Sequence, residues 1–129
     1  MTFPDDLRYT KDHEWVRLDD DGLAVVGITD YAQDALGEVV YVELQEVGTE
    51  VEAEGEFGGV DAVKTYSELF APIAGTIEAV NEALEDAPET VNADPYGEGW
   101  MVKIRPADPA DVDALPDAAE YKHMIGADT

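Results

Sequence analysis

The chain has 129 residues, 45% hydrophobic and 9% aromatic, and sets 31 acidic residues against 7 basic ones for a net charge of −24. That apolar content supports a buried core and excludes a disordered acidic tail, while the charge excludes binding to nucleic acid phosphates or anionic lipid. The absence of cysteine removes disulfides, thiolate catalysis and thiolate metal sites. No apolar run is long enough to cross a bilayer, and the first ten residues show neither a secretory nor a transit signature, so a single cytoplasmic domain over residues 1–129 is expected.

The net charge far exceeds the magnitude of roughly 2 to 8 usual for a small domain. Its acids are spread along the chain, which reads as a solvated, salt-adapted surface of the kind expected from a halophilic archaeon, with an acidic docking face for a basic partner as the competing reading.

From the N-terminus, "HEWVRL", "DDDG" and "LAVVGIT" predict a strand, a tight turn at Gly22 and a second strand. "TDYAQDALG" predicts a short helix over 30–36, with Asp30 as N-cap, Gln33 completing a capping box and Gly37 closing it. "EVVYVEL" alternates as a strand, and "EVGTEVEAEG" turns at Gly48 before Val51 and Ala53 alternate with acids. "EFGGVDAV" and "TYSELFAPIAG" are two extended arms around Lys64, "TIEAVNEAL" is a strand running into a loop, "NADPYGEGW" is dense in turn formers, and "WMVKIRP" is a last strand. Asp108 and Pro109 open a helical segment that Pro116 breaks, and Asp117 with Glu120 caps a second helix ending at Gly126. Short strands with glycine and proline punctuation predict a β-rich barrel or sandwich. "GEVVYVELQEVG" and "GTIEAVNEAL" echo one another on either side of Lys64, as two similar half-motifs would.

Ordinary catalytic constellations are missing. Ser67 is the only serine, and His13 and His123 are 110 positions apart, so nothing builds a Ser–His pair. No histidine pair has metal-ligand spacing, and there is no phosphate-binding loop. Paired carboxylates are everywhere and therefore uninformative.

Lys64 is the exception. It is the only lysine or arginine between Arg17 and Lys103, a stretch holding 21 aspartates and glutamates. Apolar extended segments run up to it and away from it, Gly48 lies 16 residues before it and Gly75 lies 11 after. This predicts a β-hairpin with the lysine at its tip. With neither glycine nor asparagine at the tip, the turn should be type I-like. An exposed tip lysine suits attachment of a group carrier such as biotin or lipoamide.

The stretches "HEWV", "GITDYAQDALGEVVYVELQEVG", "GVDAVKTYSELFAPIAGTI", "VN" at 91–92, "DPYGEGWM" and "AAEYK", in this order and spacing, resemble the glycine cleavage system H proteins over nearly the whole chain. The resemblance implies a mainly β barrel-sandwich hybrid fold with quasi-twofold halves, lipoate joined covalently to Lys64, and a carrier that is not itself catalytic. It implies partners as well: a pyridoxal-phosphate glycine decarboxylase, a tetrahydrofolate-dependent aminomethyltransferase, dihydrolipoyl dehydrogenase and a lipoate-attaching enzyme. Glu14 and Glu68 match positions where such carriers hold acids for the ammonium of the loaded arm; otherwise each is one more surface carboxylate. Asp61, Thr65 and Tyr66 depart from the usual residues around the lysine. The rival readings are a lipoyl carrier or lipoate relay for 2-oxoacid dehydrogenases, and a biotin carrier, against which the missing A-M-K-M pattern counts.

Overall fold

The computed structural model describes residues 3–126. Among these residues nine strands form two antiparallel sheets. The larger has the order β1 (Arg8–Tyr9), β2 (Glu14–Leu18), β3 (Ala24–Ile28), β9 (Val102–Pro106), β8 (Gly75–Val80) and β5 (Glu50–Val51). The smaller has β4 (Val39–Leu44), β6 (Glu56–Ala62) and β7 (Tyr66–Phe70). One apolar core lies between them, with Val16, Val26 and Ile104 from the larger sheet against Val42, Val60 and Leu69 from the smaller. The barrel-sandwich expectation holds, and the two echoing segments fall in opposite sheets, as β4 and β8.

Alternation along β2 and β3 decides much of the rest. Opposed residues share a face, so the pairs Val16↔Val26 and Glu14↔Ile28 look into the core while Trp15↔Gly27 and Arg17↔Val25 look away. The outward face is covered as well. Trp15, Val25 and Tyr9 join Phe3, Leu7, Ala118 and Tyr121 in a second cluster, which fastens helix α5 (Ala118–Met124) across the back of the sheet. Gly27 lets the Trp15 ring lie flat on the strand, because a Cβ there would sit 2.7–2.8 Å from the indole.

Several local readings need correction. In helix α1 (Asp30–Leu36) the N-cap is Thr29, whose extended backbone and hydroxyl serve the Ala32 N–H; Asp30 is already helical. Gln33 donates to the Asp30 carboxylate instead of reaching back to a cap N–H. The strand after Gly48 is only Glu50–Val51 and does not continue to Ala53. Two one-turn helices, α2 (Ala83–Asp86) and α3 (Thr90–Ala93), occupy stretches read as loop and turn. Four residues are too short for a helical period to show in sequence. In α4 (Ala110–Asp113) Pro109 holds the N-cap position, and Asp108 accepts from the Ala110 N–H. The capping box of Asp117 and Glu120 on α5 is present as predicted.

Candidate functional site

Strands β6 and β7 pair from Glu56↔Phe70 to Asp61↔Tyr66, and Ala62 N–H donates to the Thr65 carbonyl at 2.9 Å, leaving Val63 and Lys64 at the tip. The tip residues have no positive φ, which agrees with the type I-like turn. Val63 and Lys64 are exposed, Val63 by 68%. Lys64 makes no ion pair among the described residues, where the cations in ion pairs are Lys11, Lys103 and Arg105. The tip does not float free. Val63 N–H donates to the Glu38 carbonyl at 2.9 Å, tying it to the chain between α1 and β4. The ammonium is exposed, unpaired and accessible, which fits a lysine to be acylated by a second protein.

The structure separates the two candidate acids. Glu68 is exposed on β7, four residues past Lys64. Glu14 is only 1% exposed, because strand alternation points it inward beside Val16. It is therefore not one more surface carboxylate. Thr10 Oγ1 donates to Glu14 Oε1 at 3.0 Å, and the Phe70 N–H at the end of β7 also serves the carboxyl. Burial raises its pKa from 4.5 to about 8, outweighing those hydrogen bonds, and nearby Asp12 adds to the rise. Glu14 is thus a neutral acid at pH 7. Beside it, Thr10, Asp12, Ala71, Pro72, Leu115 and Met124 help line a mostly apolar cavity of about 290 Å³. Strand β7 leads from the lysine past Glu68 to this end of the molecule.

His13 and Trp15 position structure. His13 Nδ1 lies 2.8 Å from the Tyr121 hydroxyl, which lies 2.8 Å from Thr29 Oγ1. Thr29 Oγ1 also accepts from Ala32 N–H, so the chain His13–Tyr121–Thr29 ties the β2 edge and α5 to the start of α1. Trp15 Nε1 donates to the Pro95 carbonyl at 2.9 Å, and Tyr96 Oη accepts from Asp30 N–H.

Asn92 is a residue the sequence reading passed over. Its Oδ1 accepts from Val39 N–H at 2.8 Å, and its Nδ2 donates to the Gly37 carbonyl at 2.8 Å and to Gln33 Oε1 at 3.0 Å. The only signal in the sequence was its place in the matched "VN" pair.

The family model for the glycine cleavage H-protein matches residues 7–128. The chain belongs to the glycine cleavage H-protein family. It is 60% identical over 127 residues to the glycine cleavage system H protein of Chlorobium limicola, covering 98% of this chain and 99% of that one. Against the H protein of Anaeromyxobacter dehalogenans it is 56% identical over 125 residues, 97% of each. Its structure superposes on the crystal structure of a glycine cleavage system H protein from Mycobacterium marinum with a TM-score of 0.88 at 43% identity, over 96% and 99% of the two chains. As a member of this family it is a lipoyl carrier of the glycine cleavage system, a carrier and not a catalyst, and it works with the other components of that system. These relatives are bacterial and give no support to a halophilic archaeal source. No helix among the described residues is long and apolar enough to cross a membrane.

Proposed function

We propose that Lys64 holds lipoate through an amide and carries the aminomethyl group of glycine from a pyridoxal-phosphate glycine decarboxylase to a tetrahydrofolate-dependent aminomethyltransferase, with dihydrolipoyl dehydrogenase restoring the oxidised arm. The observation that carries this reading is the exposed Lys64 at the tip of the β6–β7 hairpin, without an ion pair among the described residues. When attached, the group supplies a disulfide that takes up the carbon and the electrons; the chain supplies the attachment point and its presentation. The hairpin presents the attachment point at an exposed tip, so that each partner in turn can take in the arm and reach its sulfurs. The whole of residues 1–129 acts as one lipoyl-carrier domain in the cytoplasm, and its spread of acids is a salt-adapted surface.

Between partners the cargo carries an ammonium that needs shelter from water. Glu68 offers a charge along the route, and Glu14 offers a titratable carboxyl at its inner end. An acid in a poorly solvated position attracts a cation more strongly than one in bulk water. Glu14 holds a proton in the resting state. An ammonium beside it favours the carboxylate, so docking of the cargo is coupled to release of that proton. The test is the rate at which the loaded carrier loses formaldehyde and ammonia. Glu14→Gln and Glu68→Gln each keep the shape and remove the charge, and either should speed the loss several-fold, for a contact of about 1–2 kcal/mol. An unchanged rate in both variants removes these acids from the mechanism.

A further inference from the structure

The lysine is not merely exposed; its stem has a bed. Helix α1 ends at Gly37, where φ is +81°, a left-handed value that favours glycine. A methyl group built on Gly37 would sit 3.2 Å from Cγ and 3.3 Å from both Cδ and Cε of Lys64. Three of the four stem carbons therefore lie against this one residue, on backbone that only glycine leaves bare. The bed is fixed at both ends by one side chain: Asn92 accepts from Val39 N–H and donates to the Gly37 carbonyl. Between them, the Glu38 carbonyl receives the N–H of Val63, the residue before the lysine. Side chain and backbone of the tip thus meet the same three-residue segment, 37–39, and a residue 28 positions downstream of Lys64 holds that segment still.

We propose that Gly37 and Asn92 are positioning residues for the modification of Lys64: together they set the direction in which the amine is presented to the enzyme that acylates it. The inference rests on Lys64 being the lipoylated residue. Acylation needs the amine aligned with the activated carboxyl held by the partner, and small misplacement of a reacting group carries a large rate penalty. A stem lying on Gly37 samples few of the directions open to a lysine on an ordinary hairpin. Substitution at Gly37 crowds the stem and shifts it on its bed; loss of Asn92 lets the bed move.

The experiment measures lipoate attachment by a lipoate–protein ligase, with lipoate and ATP, to the full-length unmodified chain. Wild type, Gly37→Ala, Asn92→Ala and Gly22→Ala are compared. Gly22→Ala is the control for backbone strain, since Gly22 has φ +80° but nothing within 4 Å of an added Cβ. Presentation acts at the transition state, so kcat should fall about tenfold in Gly37→Ala and Asn92→Ala, with KM within about twofold, and Gly22→Ala should match wild type. NMR relaxation of the Lys64 methylenes, read on the unmodified proteins, should show a restricted stem in wild type and Gly22→Ala and a freer one in the other two. If Gly37→Ala does not fold, Asn92→Ala decides. Wild-type kcat in a folded Asn92→Ala or Gly37→Ala, or an equal loss in Gly22→Ala, overturns the positioning role. Failure of wild type itself to accept lipoate at Lys64 overturns the lipoyl reading instead.

Discussion

Replacing Glu14 by Gln should stabilise the protein, and by an amount that depends on pH. The carboxyl is 1% exposed and its pKa stands at about 8 against 4.5 for an ordinary glutamate. The folded state therefore keeps a proton that the unfolded chain gives up above pH 4.5, and folding loses stability as pH rises from 4.5 towards 8. At about 1.36 kcal/mol per unit, the penalty is about 1 kcal/mol at pH 5 and about 3 kcal/mol at pH 7. Gln has the shape without the titration. It retains an oxygen to accept from Thr10 Oγ1, so the gain approaches but does not exceed that figure. For a chain of this size, 1 kcal/mol moves Tm by about 4 °C, which sets an upper bound of about 12 °C at pH 7. Thermal melts of wild type and Glu14→Gln at pH 5, 6, 7 and 8 make the comparison. The Tm gap should widen steadily with pH, from the wild-type side. A gap that is constant, or that closes towards pH 8, would show an ionised Glu14 in the fold and refute the reasoning. A buried acid retained at such a cost is what the cargo-docking role asks for.

Burial lowers the His13 pKa below 6.5, outweighing Asp12, so the stability contributed by neutral His13 is present above pH 6.5 and lost as pH falls below it; hydrogen exchange should show α5 loosening first, and a normal or raised His13 titration by NMR would contradict this. A Cβ on Gly58 would run into the Glu43 carbonyl of the paired strand, whereas one on Gly48 meets nothing within 4 Å at φ +94°; Gly58→Ala should cost about 3 kcal/mol or more and Gly48→Ala about 1 kcal/mol, and equal losses in denaturant melts would count against the strand packing. With a net charge of −24, Tm should rise from low salt to molar potassium chloride as the screening length drops from about 10 Å at 0.1 M to about 3 Å; a flat or falling Tm removes the salt-adapted reading.

The hairpin was legible because its signal is local: two extended arms carrying apolar residues, no turn glycine, and a lone cation between them. Glu14 was half legible. Its place in the family match pointed to the cargo, and alternation in "HEWVRL" already sets Glu14 and Val16 on one face, yet nothing in the sequence says which face is inside. That depends on β3 and on β7, whose Phe70 N–H closes over it. Asn92 was illegible for a related reason. Its partners at Gln33, Gly37 and Val39 are more than 50 positions away, and only folding brings the one-turn helix α3 to them. The N-cap slipped from Asp30 to Thr29 because both residue types cap well, and the choice is made by the extended backbone at Thr29 as the chain leaves β3.

Intact mass and peptide mapping of the protein purified from its native host test the central claim most directly. One lipoyl group should be found per chain, within the "AVKTYS" peptide that holds Lys64. An unmodified chain, a biotinyl group, or modification only at Lys11, Lys103 or Lys122 would contradict the account.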